Sequence, residues 1–288
     1  MKIYINGDLV DERAATVSVF DSGFVLGDGV WEGIRVVRGR PAFLDPHLDR
    51  LFEAARTIML DIGLDRAALA AAIDQTIAAN DLVDDAHLRL MVTRGVRRQP
   101  YQDPRLATGQ ATIVIVPATS PHDPAAAKRG LDLFTVHVRR GAPDVQDPKI
   151  NSHSKFNCIS ACIQANQAGA DEALMLDPHG FVATCNSTHF FIIRAGEVWT
   201  STGKYCLGGI TRANVVKLCR ANDIGCYEKD FSLTEVYGAE EAFVTGTLGG
   251  ITPVRQVDGR LITNAPPGPV TRRLQALYQD LLIQSVAV

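Results

Sequence analysis

Lysine is the scarce nucleophile of this 288-residue chain, with only seven present although lysine and arginine together number 29. A primary amine can condense with a carbonyl, so any chemistry of that kind must use one of those seven. Two of them, Lys149 and Lys155, flank the polar run Ile150-Asn151-Ser152-His153-Ser154, which leads into an amphipathic stretch. By spacing alone both read as ordinary surface lysines. Two turns carry a second kind of chemistry. Leu207-Gly208-Gly209-Ile210-Thr211-Arg212 opens a helical pattern, and Thr245-Gly246-Thr247-Leu248-Gly249-Gly250 follows a strand-like run. N–H groups at a helix start, with a hydroxyl beside them, suit a phosphate. Each turn taken singly reads as a plain turn, and the pair in one half of the chain adds weight to the phosphate. The third feature is arginine on apolar segments: Arg50 between Leu48 and Leu51, and Arg89 between Leu88 and Leu90. The bland readings are a surface pair of Arg50 with Asp49 or Glu53, and an Arg89 turned to solvent by strand alternation.

Other chemistries lack their residues. His87, His137, His153 and His189 show no metal-ligand spacing, and the six cysteines contain no C-x-x-C pair. No metal is expected, and the cysteines read as reduced thiols, mostly buried as small apolar groups. There is no G-x-S-x-G elbow, no Walker motif and no G-x-G-x-x-G after a strand; Leu26-Gly27-Asp28-Gly29 is too short for the last. A net charge of −3 and a pI near 6.2 give no electrostatic case for nucleic acid or an anionic membrane. No apolar run approaches the roughly 20 residues that span a bilayer. The opening Met-Lys-Ile-Tyr-Ile-Asn-Gly-Asp reads as a strand and turn rather than a signal peptide. The expectation is a soluble, cytoplasmic protein.

The positioning elements follow from periodicity. Residues 2–6 and 9–10 alternate around Asn6-Gly7-Asp8, which is hairpin chemistry. Apolar residues recur at three and four from Asp45 to Ile62, predicting a helix with Asp45-Pro46 as N-cap and N1. Further helices are predicted over 66–80, 156–168, 211–222 and 269–284. Strands are predicted over 87–93, 111–117, 131–139, 173–176, 190–194, 198–200 and 241–245. The run 111–117 is nearly all apolar and reads as buried on both faces. Three prolines without a clear period mark 117–128 as a boundary, giving an N-terminal α/β domain 1–120 and a C-terminal domain 121–288. Strands and helices mix without strict alternation, so the fold class expected is α+β.

Gly27-Asp28-Gly29-Val30-Trp31-Glu32-Gly33-Ile34-Arg35, followed by His47-Leu48-Asp49-Arg50-Leu51, resembles the N-terminal domain of class IV aminotransferases. Val92-Thr93-Arg94-Gly95, Gly209-Ile210-Thr211-Arg212, Thr245-Gly246-Thr247 and Thr252-Pro253-Val254 continue the resemblance in order over nearly the whole chain. It implies a two-domain fold type IV enzyme, like D-amino-acid aminotransferase, with pyridoxal 5'-phosphate at the domain interface and a homodimer. It assigns Arg50, Ile210, Thr211 and Thr247 to the cofactor phosphate, and Arg89, with Arg35 and Trp31, to substrate. Glu32-Gly33-Ile34-Arg35 looks more like branched-chain members than D-amino-acid ones. The lysine that holds the cofactor is assigned to Lys149, with Lys155 as alternative, because Lys155 falls too close to the strand at 173–176. The run Phe181–Thr188 departs from the family pattern. Thr184 stands where a glutamate pairs with the cofactor's ring nitrogen, and His189 where asparagine is usual. A carboxylate keeps that nitrogen protonated; a threonine hydroxyl only hydrogen-bonds.

The function implied is transfer of an amino group between a branched-chain or other neutral amino acid and a 2-oxo acid. The alternatives on the same fold are a D-amino-acid or (R)-amine transaminase, or a 4-amino-4-deoxychorismate lyase. A non-catalytic member, suggested by Thr184, is the alternative of a different class.

Overall fold

The computed structural model describes residues 1–119 and 129–287, and the chain separates into two compact units. The first holds Met1–Pro121 together with Ile150–Ser154 and Leu282–Val288; the second holds the rest. A single cut at residue 120 therefore leaves out two returns of the chain to the first unit. Most of the boundary run 117–128 lies outside the described residues.

The first unit is built on a six-stranded sheet of β1 (Lys2–Ile5), β2 (Asp8–Asp11), β3 (Gly29–Val37), β4 (Arg40–Pro41), β5 (Ala86–Thr93) and β6 (Thr112–Thr119), in the order β2-β1-β6-β5-β3-β4. Every pairing is antiparallel. The β1–β2 hairpin turns where Asn6 and Gly7 both take positive φ, which glycine and asparagine tolerate. Its helices are α1 (Ser22–Leu26), α2 (Leu44–Thr57) and α3 (Arg66–Ala78). One sheet face is the core: Val30, Ile34 and Val36 of β3 and Leu88, Leu90 and Val92 of β5 cluster with Leu48 and Leu51 of α2 and Leu69 and Ile73 of α3. Burying a side chain such as Leu48 contributes roughly 1.5–3 kcal/mol.

Two expectations shift here. Helix α2 stops at Thr57, five residues early, because the chain turns at Met59 with φ of 51°. It starts at Leu44 behind Phe43, so Pro46 sits within the first turn, where no N–H is missed. Strand β6 buries one face only: Ile113 and Ile115 are in the core, while Val114 and Val116 are half-buried on the other face. An apolar run thus covers an open sheet face as well as a closed one.

The second unit holds a mixed sheet of β7 (Leu131–Thr135), β8 (Glu172–Leu176), β9 (Val182–Cys185), β10 (His189–Arg194), β11 (Glu197–Thr200), β12 (Cys226–Glu228), β13 (Glu241–Gly246) and β14 (Gly250–Val257). The order is β12-β11-β10-β13-β14-β7-β8-β9, and β15 (Arg260–Leu261) pairs with β14. The helices are α4 (Pro143–Gln146), α5 (Phe156–Gln167), α6 (Ile210–Ala221), α7 (Leu233–Tyr237) and α8 (Pro269–Gln284). Phe191 and Phe243 face each other across β10 and β13 and stack at 4.7 Å, worth about 0.5–1.5 kcal/mol beyond burial. The expected strand 131–139 ends at Thr135. All six cysteines are free thiols, three buried and three half-buried, so burial is less general than the composition suggested.

Candidate active site

In the first unit, alternation sorts the site residues between the two sheet faces. Trp31, Gly33 and Arg35 of β3 lie opposite Met91, Arg89 and His87 of β5, on the face away from the core. The Arg89 guanidinium stacks on the Trp31 ring at 3.8 Å. Trp31, Arg35 and Arg89 are thus brought together. Arg89 is turned outward as alternation allows, and it packs on an aromatic ring. His87 on the same face has a buried Nδ1 with no partner, and burial together with the Arg89 charge holds its pKa below the usual histidine value.

The segment Ile150–Ser154 lies along the edge of β3. Trp31 N donates to Asn151 O at 2.9 Å, and the buried Asn151 side chain donates to Trp31 O at 2.6 Å. The Trp31 indole N–H donates to Ser152 O at 3.1 Å. This segment, joined to β3 by an isolated bridge between Ser152 and Val30, fixes the indole, a role that no spacing pattern gave to Asn151.

Glu32 points the opposite way, into the core face between Val30 and Ile34, and is fully buried. Arg50 does not pair with Asp49 or Glu53. Its Nε donates to Glu32 Oε1 at 2.8 Å and its Nη2 to Oε2 at 2.6 Å. His47 Nδ1 lies 2.6 Å from the same Oε2. Burial alone would raise the Glu32 pKa, but the hydrogen bonds from His47 and Arg50 outweigh it and hold the carboxylate ionised. Burial also lowers the His47 pKa, so a neutral imidazole donates its Nδ1–H to Glu32. Sequence reasoning missed Glu32 and His47 as a unit with Arg50. The signals were an acid at a core-facing strand register and a histidine three residues before Arg50 on one helix face.

In the second unit, α6 begins at Ile210 behind the N-cap Gly209, and no side chain caps it. Its first-turn N–H groups and dipole therefore favour an anion. Gly209 must be glycine: an added Cβ would lie 2.2 Å from the His189 ring. Thr211 is buried, with its hydroxyl 3.4 Å from the Tyr278 hydroxyl. Helix α6 packs on β13, whose last two residues are Thr245 and Gly246 and which is followed by the turn carrying Thr247. The Thr245 hydroxyl is fully buried without a partner.

The loop into α6 is held by its carbonyls. Ser201 O accepts from Arg212, Gly203 O from Lys149 Nζ at 3.1 Å, Tyr205 O from Arg140, and Leu207 O from His189 Nε2 at 2.8 Å. Lys149 is thus an exposed side chain anchored on the loop that enters the helix. Lys155 is the half-buried N-cap of α5. Thr184 on β9 is buried and donates its hydroxyl to Thr188 O at 2.8 Å.

The residues 29–257 match the model of the amino-transferase class IV family. The chain belongs to that family. It is 40% identical over 282 residues to a putative branched-chain-amino-acid aminotransferase of Methanocaldococcus jannaschii, covering 98% of this chain and 96% of the relative. It is 29% identical over 290 residues to a D-alanine aminotransferase of Bacillus licheniformis, covering 100% and 99%. The structure resembles a branched-chain amino acid aminotransferase from T.th. solved with pyridoxamine 5'-phosphate, with a TM-score of 0.91, 27% identity and coverage of 98% and 94%. The α+β, fold type IV architecture and the class of reaction, transamination, follow from this membership.

The family implies pyridoxal phosphate, and the fit of that group is tested by the second unit's own atoms. The uncapped start of α6, the buried Thr211 and the unpartnered Thr245 hydroxyl fit its phosphate. Thr184 fits the ring less closely: its only hydroxyl hydrogen is committed to a carbonyl, so it has lone pairs but no charge to offer. Among the described residues no His, Cys, Asp and Glu group could hold a metal, and no helix is long and apolar enough to cross a membrane.

Proposed function

We propose that this transaminase takes its amino group from a branched-chain or other neutral L-amino acid and passes it to a 2-oxo acid. The observation that carries the substrate reading is Arg89 stacked on Trp31 beside Arg35 on one sheet face. A guanidinium there meets a carboxylate, while the indole offers an apolar wall to a hydrocarbon side chain. The similarity to a branched-chain relative supports the same choice. Bound pyridoxal phosphate supplies an electron-withdrawing ring that eases loss of the proton at substrate Cα.

The chain's own residues do the rest. Thr211, the N–H groups at Ile210 and Thr247 are read as holding the phosphate, and Arg50 is the further phosphate residue that the family resemblance implies. Lys149 is the lysine that holds the cofactor and then carries the proton at Cα, because its amine is anchored on the loop entering the phosphate-binding helix. Lys155 is the alternative. Thr184 accepts at the ring, and Arg89 and Arg35 hold the substrate carboxylate. The working form is a cytoplasmic homodimer, checked by light scattering and cell fractionation.

Borohydride reduction of the purified protein followed by peptide mass mapping tests the lysine. A label on Lys149 supports the assignment, and one on Lys155 replaces it. Donor profiling with L-leucine, D-alanine and (R)-1-phenylethylamine tests the substrate. Preference for D-alanine would move the reading to the D-amino-acid enzymes, which the 29% identical relative keeps in view. Pyruvate release would indicate the lyase. No label and no turnover with added pyridoxal phosphate would point to the non-catalytic reading.

A further inference from the structure

Alternation along β12 puts Cys226 and Glu228 on one face, and helical spacing puts Arg212, Val216 and Cys219 on one stripe of α6. The two surfaces meet. Arg212 Nη2 donates to Glu228 Oε2 at 2.8 Å, and nearer the turn the Cys219 thiol donates to the Cys226 sulfur. The turn between them is fastened. Asp223 takes positive φ, and Ile224 N donates back to Cys219 O at 2.9 Å, which stops the helix. Val198 N then donates to Gly225 O at 2.8 Å, and Cys226 registers beside Val198 of β11. Helix, turn and strand together hold the two sulfurs in contact.

The thiols differ in reach. Cys219 is fully buried and Cys226 is half-buried. Accepting the Cys219 hydrogen bond holds the Cys226 thiol below its ordinary pKa, and Arg220 and Arg212 add to this against burial and Glu228. Donating that bond pushes the Cys219 thiol up, and burial adds to it. A half-exposed thiol favoured as thiolate, with a second thiol against it, has the parts of a peroxide-responsive pair. Neither sulfur has a part in the transamination set out above.

We propose that Cys219 and Cys226 form a reversible intrachain disulfide on reaction with a hydroperoxide, tying the end of α6 to β12. The Cys226 thiolate attacks the terminal peroxide oxygen, the O–O bond breaks, and the departing oxygen takes up a proton. Cys226 is then a sulfenic acid. The Cys219 sulfur attacks it: the S–S bond forms, the S–O bond breaks, and the oxygen leaves as water with the Cys219 proton. Two thiols lose two electrons in all, and one peroxide is reduced. A dithiol reductant reverses the change by thiol–disulfide exchange. The cross-link closes a short loop at the end of the helix that opens on the Gly209–Thr211 turn.

The test treats reduced full-length protein, purified with pyridoxal phosphate present, with hydrogen peroxide. Remaining thiols are then blocked with N-ethylmaleimide and the digest is mapped by mass spectrometry without reduction. Trypsin cuts after Lys217, Arg220 and Lys229, so the disulfide should join peptide 218–220 to peptide 221–229, two hydrogens lighter than their sum. The melting temperature should rise by about 2–5 °C and return to its starting value with dithiothreitol. Cys219→Ala should leave Cys226 as a sulfenic acid that a cyclic 1,3-dione labels, and Cys226→Ala should leave Cys219 unoxidised. Both thiols still blocked by maleimide after peroxide would overturn the proposal, as would links between different chains alone. Sulfenic acid at Cys219 in Cys226→Ala would overturn the order of attack. A link formed with no rise in melting temperature would overturn the tie between helix and strand. If either variant does not fold, the peptide map of the parent decides.

Discussion

Glu32 in the first unit and Glu172 in the second are both buried glutamates with every oxygen hydrogen-bonded, yet their pKa values move in opposite directions. Glu32 faces a guanidinium and an imidazole, and its pKa falls. Glu172 accepts from the N–H and hydroxyl groups of Ser187 and Thr188, four donors with no charge among them, and burial pushes its pKa up. Hydrogen bonds satisfy a buried carboxylate, but a nearby cation is what keeps it ionised. The first arrangement suits a unit that must present a fixed charge. The second ties the turn at 186–188 to β8 beside Thr184.

Removing the cation should produce the largest effect. Arg50→Met leaves Glu32 buried beside a neutral histidine and should cost about 3–5 kcal/mol in urea denaturation. A loss below about 1 kcal/mol would show that His47 suffices and break the contrast. Thr184→Glu is the next largest. It places a second carboxylate near Thr188 with no cation and should cost the cofactor-free protein about 2 kcal/mol. Added pyridoxal phosphate should then raise its melting temperature by more than it raises the parent's, and half-transamination, followed by stopped-flow absorbance, should quicken. A variant unaffected by the cofactor would place Thr184 away from the ring.

The pH dependence of stability sharpens the same comparison. His47 is lowered from 6.5, so the unfolded chain takes up a proton that the folded one refuses, and stability falls as pH drops through that value. Glu32 is lowered from 4.5, so its contribution is present above 4.5 and lost as pH falls through its folded value. Glu172, raised from 4.5, acts in reverse: its contribution is present below 4.5 and lost as pH rises through its folded value. His47→Asn should therefore flatten the urea-midpoint curve between pH 7 and 5. An unaltered slope would assign the loss to another group. Glu172→Gln should have the smallest effect, within about 1 kcal/mol at pH 7, because neutral donors serve an amide oxygen nearly as well. A large loss would mean that its charge is needed.

Much of the local structure was legible because periodicity reports on burial. Helix α8 runs from Pro269 to Gln284 as its spacing predicts, and the Asn6-Gly7 turn forms the hairpin its residues require. The uncapped glycine turn before α6 was visible as a motif. The pairing of Arg50 was not. Its sequence neighbours Asp49 and Glu53 offered partners, but Asp49 binds Arg66 and Arg50 reaches eighteen residues back to Glu32. Strand alternation marked Arg89 as outward, and only the β3–β5 register put it over Trp31.

By itself the sequence determined many of the elements, though not β3, β9, β12 or β14, together with the α+β class and the family motifs, since these depend on residues close along the chain. Tertiary structure decided which charges meet. It alone placed Glu32 against Arg50 and His47, Lys149 on the carbonyl of Gly203, and Thr184 on that of Thr188. Those pairings depend on strand register and on how a helix lies on a sheet. Burial then fixes their strength, because a charge removed from water must find its partner within the fold.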